Sequence, residues 1–307
     1  RQTVQDEVEQ LLTEIDRVAE TTKFNELYML KGDTSDKTVK LSAKDAGLDG
    51  KLVTGANSAT FTISTLKLGD SVSIGGKTYT IGDATPKNVA ALTMATGSQV
   101  TLNGVQYTIV DTADEEDEAK NLITKDTIEK RINGVKLTSV KFNGKTYNVI
   151  TDNAGGAADG IDDNESSIIT ADKAYEYMAK ELALANNVGA NKTQISINAK
   201  DNKQVIKDKD TVQFVFNRAE ATTKEDLNFS LHVGADADMT NKISVKIASL
   251  DTTGLGISGL NVKDSTGASA TYAIDSIAGA VAKVSAQRSA LGAVQNRLEH
   301  TINNLDN

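Results

Sequence analysis

The sequence contains no cysteine and no tryptophan, one proline and two histidines, and aromatic residues make up 4% of its 307 positions. The absence of cysteine excludes disulfides, thiolate metal sites and thiol nucleophiles. With so few aromatic residues the cores must be aliphatic, which favours thin, elongated modules over one large globule. No stretch approaches the roughly 18 apolar residues that a membrane-spanning helix needs, so we expect no membrane insertion.

The formal net charge of -9 argues against a nucleic-acid partner, because binding to a phosphate backbone needs clustered lysine and arginine. Catalytic and metal-binding motifs are also missing. His232 and His300 are too far apart in the sequence for a helical zinc site, which needs two histidines in one turn with a glutamate between them. The acidic runs 114–118 and 159–166 are interpreted as loops or helix starts, with calcium binding as the alternative, although the second run lacks the order of an EF-hand loop. We therefore expect no enzyme, no cofactor and no metal.

The N-terminal segment has apolar residues at alternating spacings of four and three. This spacing predicts a helix that packs one edge against another helix along its length. The helix should end at Thr21 and Thr22, which are poor helix formers. The residues predicted to form the packing edge are Val4, Val8, Leu11, Ile15 and Val18.

The C-terminal segment repeats this spacing over a longer stretch and predicts a helix from about Ser269 to Asn304, roughly 50 Å long. Arg288 and Gln295 interrupt its apolar edge; they either fix register and partner or extend to the rim. Because the edge is about twice as long as the N-terminal one, its surplus needs a further helix, missing here or supplied by another subunit. The edge comprises Ile274, Ile277, Val281, Val284, Arg288, Leu291, Gln295, Leu298, Ile302 and Leu305.

The central segment carries an internal repeat at 72–81, 100–109 and 140–149. Each copy alternates up to Gly-Gly or Asn-Gly, followed by a tyrosine three residues later, which predicts a tight hairpin. The tyrosines are Tyr79, Tyr107 and Tyr147, and we interpret them as core residues, with a binding platform as the alternative. Amphipathic patterns predict helices over 114–132 and 171–188, and 193–201 should pair with 210–219 as a last hairpin.

Three stretches resemble bacterial flagellins. Residues 7–26, with Glu-Ile-Asp-Arg and Thr-Lys-Phe-Asn, are similar to the second conserved N-terminal helix, 227–262 to the β-hairpin and following loop of the core, and 288–305 to the conserved C-terminal helix. The resemblance implies an α+β fold. Coiled-coil-like terminal helices plus a β-hairpin would form an elongated core module (1–32 and 224–307). A β-rich α+β variable domain (33–223) would be inserted, with subdomains at about 33–150 and 151–223.

The resemblance implies a structural subunit of the bacterial flagellar filament, extracellular and secreted through the flagellar export apparatus. The implied partners are other flagellin subunits, the export chaperone and the filament cap. Because the chain starts inside a helical pattern and lacks the outermost helices of the family, we expect a fragment that is monomeric in solution.

The resemblance also suggests a contact with the immune receptor Toll-like receptor 5. Glu7 and Gln10 match acidic and amide positions of the receptor patch, whereas Leu11 stands where well-recognised members have arginine. The alternative interpretation of Glu7 and Gln10 is a solvated helix face. For the insert, the alternative function is a surface adhesin or a module that carries glycans on its serines and threonines.

Overall fold

A computed structural model describes residues 1–83, 95–133, 139–152, 158–233, 241–265 and 267–305. The predicted mixture of helix and sheet, with a helix near each end, is confirmed. Among the described residues, none of the helices is long and apolar enough to cross a bilayer. The helices are α1 (Gln2–Thr21), α2 (Lys125–Asn133), α3 (Ala171–Asn186), α4 (Thr252–Leu255) and α5 (Ala268–Leu305).

The chain forms two compact units. The first contains residues 1–61, 182–197 and 215–307, and the second contains 62–181 and 198–214. These units do not coincide with the predicted segments, because parts of the expected insert belong with the terminal helices. The reason is strand pairing: β3 (Asp36–Lys40) and β16 (Glu220–Lys224) form an antiparallel ribbon inside the first unit.

Two further strand pairs of the first unit are hairpins. The β-hairpin predicted by resemblance is present, and its connection over 234–240 lies outside the described residues. Its inner side chains Leu227, Val245 and Ile247 pack against Leu291 and Val294 of α5. The strand pairs are β1 (Lys23–Phe24) with β2 (Leu27–Tyr28), and β17 (Leu227–His232) with β18 (Lys242–Ile247).

The second unit contains the three repeated hairpins. Their turns, Gly75-Gly76, Asn103-Gly104 and Asn143-Gly144, all have the positive φ angles of the predicted tight turn. The sheets have the orders β10-β9-β8-β11-β12 and β13-β7-β6. Their strands are β6 (Ser71–Ile74), β7 (Lys77–Ile81), β8 (Gln99–Leu102), β9 (Val105–Val110), β10 (Leu122–Thr124), β11 (Ser139–Phe142), β12 (Lys145–Asn148) and β13 (Ile168–Ile169).

The repeated tyrosines occupy equivalent positions, each opposite a valine of the preceding strand. Tyr107 and Tyr147 are half-buried against the aliphatic core of the larger sheet. Tyr79 stacks on Tyr177 of α3, with ring centroids 5.5 Å apart. These contacts support the interpretation of the tyrosines as core residues.

The helix predicted over 114–132 is wrong in its first half. Residues 122–124 instead form β10, which pairs in parallel with β9, and α2 begins only at Lys125. The Thr124 hydroxyl accepts a hydrogen bond from the Thr127 N–H and caps this helix. The helix predicted over 171–188 is confirmed as α3, whose Thr170 cap bonds the Lys173 N–H in the same way.

The last predicted hairpin is also wrong. Its second strand exists as β15 (Thr211–Asn217), but 193–201 does not pair with it. In the sheet β14-β15-β5-β4 both edges of β15 are already occupied, so no further strand can join it. The other strands of this sheet are β14 (Val205–Lys207), β5 (Ser58–Ser64) and β4 (Lys51–Thr54).

Candidate functional site

Helix α1 has few buried residues through which it contacts the rest of the first unit. Its buried side chains among the described residues are Gln5 and Ala19. The Gln5 amide donates to the Leu260 carbonyl at 3.1 Å and accepts from the Val262 N–H at 2.8 Å. A single side chain thereby fixes the start of α1 to the segment that precedes α5.

Asp16 provides a second attachment. Its carboxylate accepts from the Thr252 N–H at 2.8 Å and from the Thr252 hydroxyl at 3.0 Å. Neither Gln5 nor Asp16 belongs to the apolar edge predicted for the helix. Nothing in the periodicity marks either residue, because their partners are 236 to 257 positions away in the chain.

Over residues 268–281, helix α5 buries a different edge from the predicted one. The buried positions are Ala273, Ser276 and Ala280, together with Tyr272. The small side chains of Ala273 and Ala280 pack with residues of α4 and the following loop. The larger aliphatic side chains, one position further along, face outward: Ile274, Ile277 and Val281 are 66%, 44% and 59% exposed.

The aliphatic edges of α1 and α5 border an apolar groove of about 610 Å³, here called the helix groove. Leu255, Ile257 and Leu260, which precede α5, pack with Val8 and Ile15 into one cluster. Residues of both helices therefore pack into one cluster with the segment between them. The groove is lined by the predicted residues Val8, Leu11, Ile15, Val18, Ile277, Val281, Val284 and Arg288, with Leu255, Ile257 and Leu260.

The predicted edge residues Val4, Ile274, Leu291, Gln295, Leu298 and Ile302 do not line the helix groove, and the side chain of Leu305 lies outside the described part of the chain. Val4 and Ile302 are each 54% exposed, and Leu298 is half-buried. Leu291 packs against the β17–β18 hairpin. Gln295 is exposed, and its amide donates to Glu299 of the same helix at 3.0 Å.

The residues predicted for receptor contact, Glu7 and Gln10, are both exposed on α1. This exposure fits the solvated-face interpretation, and the receptor contact remains a prediction. Leu11, which also occupies a position of the predicted receptor patch, is 58% exposed and lines the helix groove.

The acidic run 159–166 is organised by hydrogen bonds. The buried Asp152 accepts from the Asp159 and Gly160 N–H groups. The buried Asp162 accepts from the N–H groups of Thr151, Asn164 and Glu165. Within the described ranges, no cluster of three or more histidine or acidic side chains could hold a metal ion. These aspartates therefore stabilise a loop.

A smaller pocket of the first unit, about 280 Å³, brings Lys44 together with Asp45 and Asp275. Burial lowers the pKa of Lys44 to about 8, and Asp275 opposes the shift. The Lys44 ammonium donates to the backbone carbonyls of Ala185 and Val188 at 3.3 and 3.5 Å. Burial and the neighbouring Asp45 raise the pKa of Asp275. Because the pKa of Lys44 differs between the folded and unfolded chain, the stability of the first unit depends on pH.

The family model "Bacterial flagellin C-terminal helical region" matches residues 274–307. The chain is 29% identical to a flagellin of Clostridium tyrobutyricum over 312 residues, covering 99% of this chain and 59% of that protein. It is 33% identical to a flagellin of Halalkalibacterium halodurans over 134 residues, covering 42% of this chain and 47% of that protein.

The chain thus spans about half to three-fifths of the length of the curated relatives that it matches. The resemblance to bacterial flagellins, inferred from three short stretches, is confirmed by these matches.

Proposed function

Because the chain is related to the bacterial flagellins, we propose that it is a structural subunit of the bacterial flagellar filament and that its helix groove is an assembly surface. The observation that carries this proposal is the choice of buried edge on α5. Near its start the helix buries Ala273, Ser276 and Ala280 and leaves the larger aliphatic residues Ile274, Ile277 and Val281 to solvent. A contiguous exposed apolar surface of this kind marks an interaction site.

The occupant of the groove would be a further helix of the assembled subunit or of a neighbouring one. Two aliphatic edges that border one groove suit a third apolar edge packed between them. At about 25 cal/mol per Å² of apolar area removed from water, even a few hundred Å² would contribute several kcal/mol. Assembly would thereby cover the edge that the isolated chain leaves exposed.

A test in the bacterium that encodes the chain would replace Leu11 or Val281 by aspartate and count filaments by electron microscopy. Both side chains are more than half exposed, so the substitutions should change the melting temperature of the purified chain by only a few degrees. We expect loss of filaments with the protein still present in the cell. Val105→Asp is the control, because Val105 is 46% exposed on β9, outside the groove. Normal filaments in both groove variants would refute the proposal.

The remaining roles follow from the flagellin relationship and are proposed with it. The chain would be exported to the extracellular filament with the help of a chaperone and assembled beneath the filament cap. Its β-rich insert would be exposed on the filament surface, and Glu7 and Gln10 would contribute to recognition by Toll-like receptor 5. Without its helical neighbours the chain should be monomeric, which sedimentation velocity measures directly; a concentration-independent dimer would contradict this.

The alternative function, an adhesive or glycan-carrying insert, is separated from the filament role by two measurements. The intact mass of protein purified from the native bacterium would reveal attached sugars. Binding of the whole chain to a glycan array or to mucin would reveal adhesion. A mass equal to that of the polypeptide, together with no saturable binding, would exclude the alternative and leave the filament role as the one proposed function.

A further inference from the structure

The pocket of about 280 Å³ in the first unit, here called the Lys44 pocket, has no part in the proposed assembly function. Its walls come from the segment after β3, from the segment after α3 and from α4 and α5. Its charged lining residues are Lys44, Asp45, Asp275 and Lys283, and the other lining residues are aliphatic, glycine or serine. Two amines and two carboxylates therefore meet in a small, largely apolar space.

The backbone of Lys44 is held firmly at this pocket. Its N–H donates to the Asn186 side chain at 2.9 Å, and its carbonyl accepts from the same amide at 2.8 Å. Asn186 is 3% exposed, so these two hydrogen bonds are shielded from water. They fix the point from which the Lys44 side chain extends.

The amine of Lys44 has weak partners. It donates to the carbonyls of Ala185 and Val188 at 3.3 and 3.5 Å, which is beyond the usual range of an N–H···O bond. No described carboxylate lies within ion-pair distance of it. The residue is half-buried, so a small molecule in the pocket can reach the nitrogen.

The surroundings of Lys44 make this nitrogen a nucleophile near neutral pH. Burial lowers the pKa of Lys44 to about 8; Asp275 opposes this shift and Lys283 adds to it. At pH 7 roughly one Lys44 amine in ten is then unprotonated, against roughly one in three thousand for a lysine in water. Desolvated lysines of this kind attack carbonyl carbons.

The size and charge of the Lys44 pocket limit what can react there. Ligand pockets usually hold roughly 300–1,000 Å³, so this one suits a molecule of a few heavy atoms. With Lys44 unprotonated, the carboxylates of Asp45 and Asp275 outnumber the ammonium of Lys283. The resulting negative charge disfavours an anionic reactant and favours an uncharged one.

We propose that Lys44 is a site of covalent modification, where its amine forms an imine with a short uncharged aldehyde that enters the Lys44 pocket. The nitrogen bonds to the carbonyl carbon, and the two hydrogens of the amine leave with the carbonyl oxygen as one water molecule. The step needs neither an oxidant nor a reductant. It replaces a buried ammonium by a neutral group.

The test treats the whole chain with acetaldehyde and sodium cyanoborohydride at pH 7, so that each imine is reduced to a stable ethylamine. Peptide mass spectrometry then follows the ethyl group at every lysine and at the N-terminal amine. We expect Lys44 to be labelled roughly tenfold to a hundredfold faster than Lys51, because lysines in water are almost fully protonated at this pH. Lys51 is an exposed residue of β4.

Two variants of the pocket should change the labelling of Lys44 in opposite directions. Asp275→Asn should speed it roughly twofold to fivefold, because it removes a charge that holds the proton on the amine. Lys283→Met should slow it by a similar factor, because it removes a repelling ammonium. A loosened pocket would change both rates in the same direction.

Two results would overturn the proposal. Labelling of Lys44 no faster than that of Lys51 in the parent chain would show that its amine is either protonated or out of reach. Slower labelling of Lys44 in Asp275→Asn would show that the charges of the pocket do not control its reactivity. Both measurements stay informative even if Lys283→Met fails to fold.

Discussion

The pKa of Lys44 predicts that the first unit becomes more stable as the pH rises above neutrality. Its pKa is about 8 in the folded chain and 10.5 in the absence of burial. Between these values the unfolded chain binds more protons than the folded chain, so the free energy of unfolding increases with pH. Below pH 8 the folded state carries the full penalty of a buried ammonium. The linkage relation gives an increase of about 2 kcal/mol between pH 7 and pH 9.5.

The measurement is urea denaturation at several pH values in this range, followed by circular dichroism at 222 nm. This signal reports on the first unit, because α1 and α5, of 20 and 38 residues, both belong to it. Other groups also titrate in this range, so the quantity of interest is the stability difference between Lys44→Met and the parent chain. We expect the advantage of the variant to fall by about 2 kcal/mol from pH 7 to pH 9.5.

Lys51→Met is the matched control, since Lys51 is exposed, and its stability should follow that of the parent at every pH. A difference between Lys44→Met and the parent that stays constant over the range would refute the argument. It would mean that the ammonium of Lys44 is hydrated in the folded chain.

Three further substitutions test contacts found only in the structure. Asp16→Ala should destabilise the first unit by about 1–3 kcal/mol in the same urea assay, because it leaves the Thr252 N–H unpaired; no loss would show that water replaces the carboxylate. Gly189→Ala should cost more than Gly104→Ala. Both glycines have positive φ, but a Cβ at Gly189 would lie 2.5 Å from the Gly256 carbonyl oxygen, whereas one at Gly104 meets nothing within 4 Å. Equal costs would contradict the close approach. Thr223→Val should raise the free energy of unfolding by about 1 kcal/mol, because it removes a buried hydroxyl without a hydrogen-bond partner among the described residues; a decrease would show that the hydroxyl is already satisfied.

Local patterns predicted local structure well. The terminal helices were found from apolar spacing, and the repeated hairpins from Gly-Gly and Asn-Gly, because these turns need the positive φ angles that glycine and asparagine tolerate. The prediction of a helix over 114–132 failed in its first half, because a local preference competed there with pairing to another strand. Its residues 122–124 are apolar enough for either structure, and the free edge of β9 makes them a strand.

The helix groove likewise combines features that local spacing predicts with features that depend on distant residues. Spacing alone pointed to several of the residues that line the helix groove, including Leu11 and Val281, since they share one face of each helix. It did not show which edge of α5 is buried. That depends on α4 and the loop after it, which approach Ala273 and Ala280 because small side chains leave room for them.

The sequence by itself determined where the two long helices begin and end, which of their faces are aliphatic, and that three hairpins share one design. These properties depend on residues within one or two turns of each other. The tertiary structure alone decided that Gln5 and Asp16 attach α1 to residues 252–262 and that the aliphatic edges stay open. Those outcomes depend on contacts between residues up to about 250 positions apart, which no local pattern encodes.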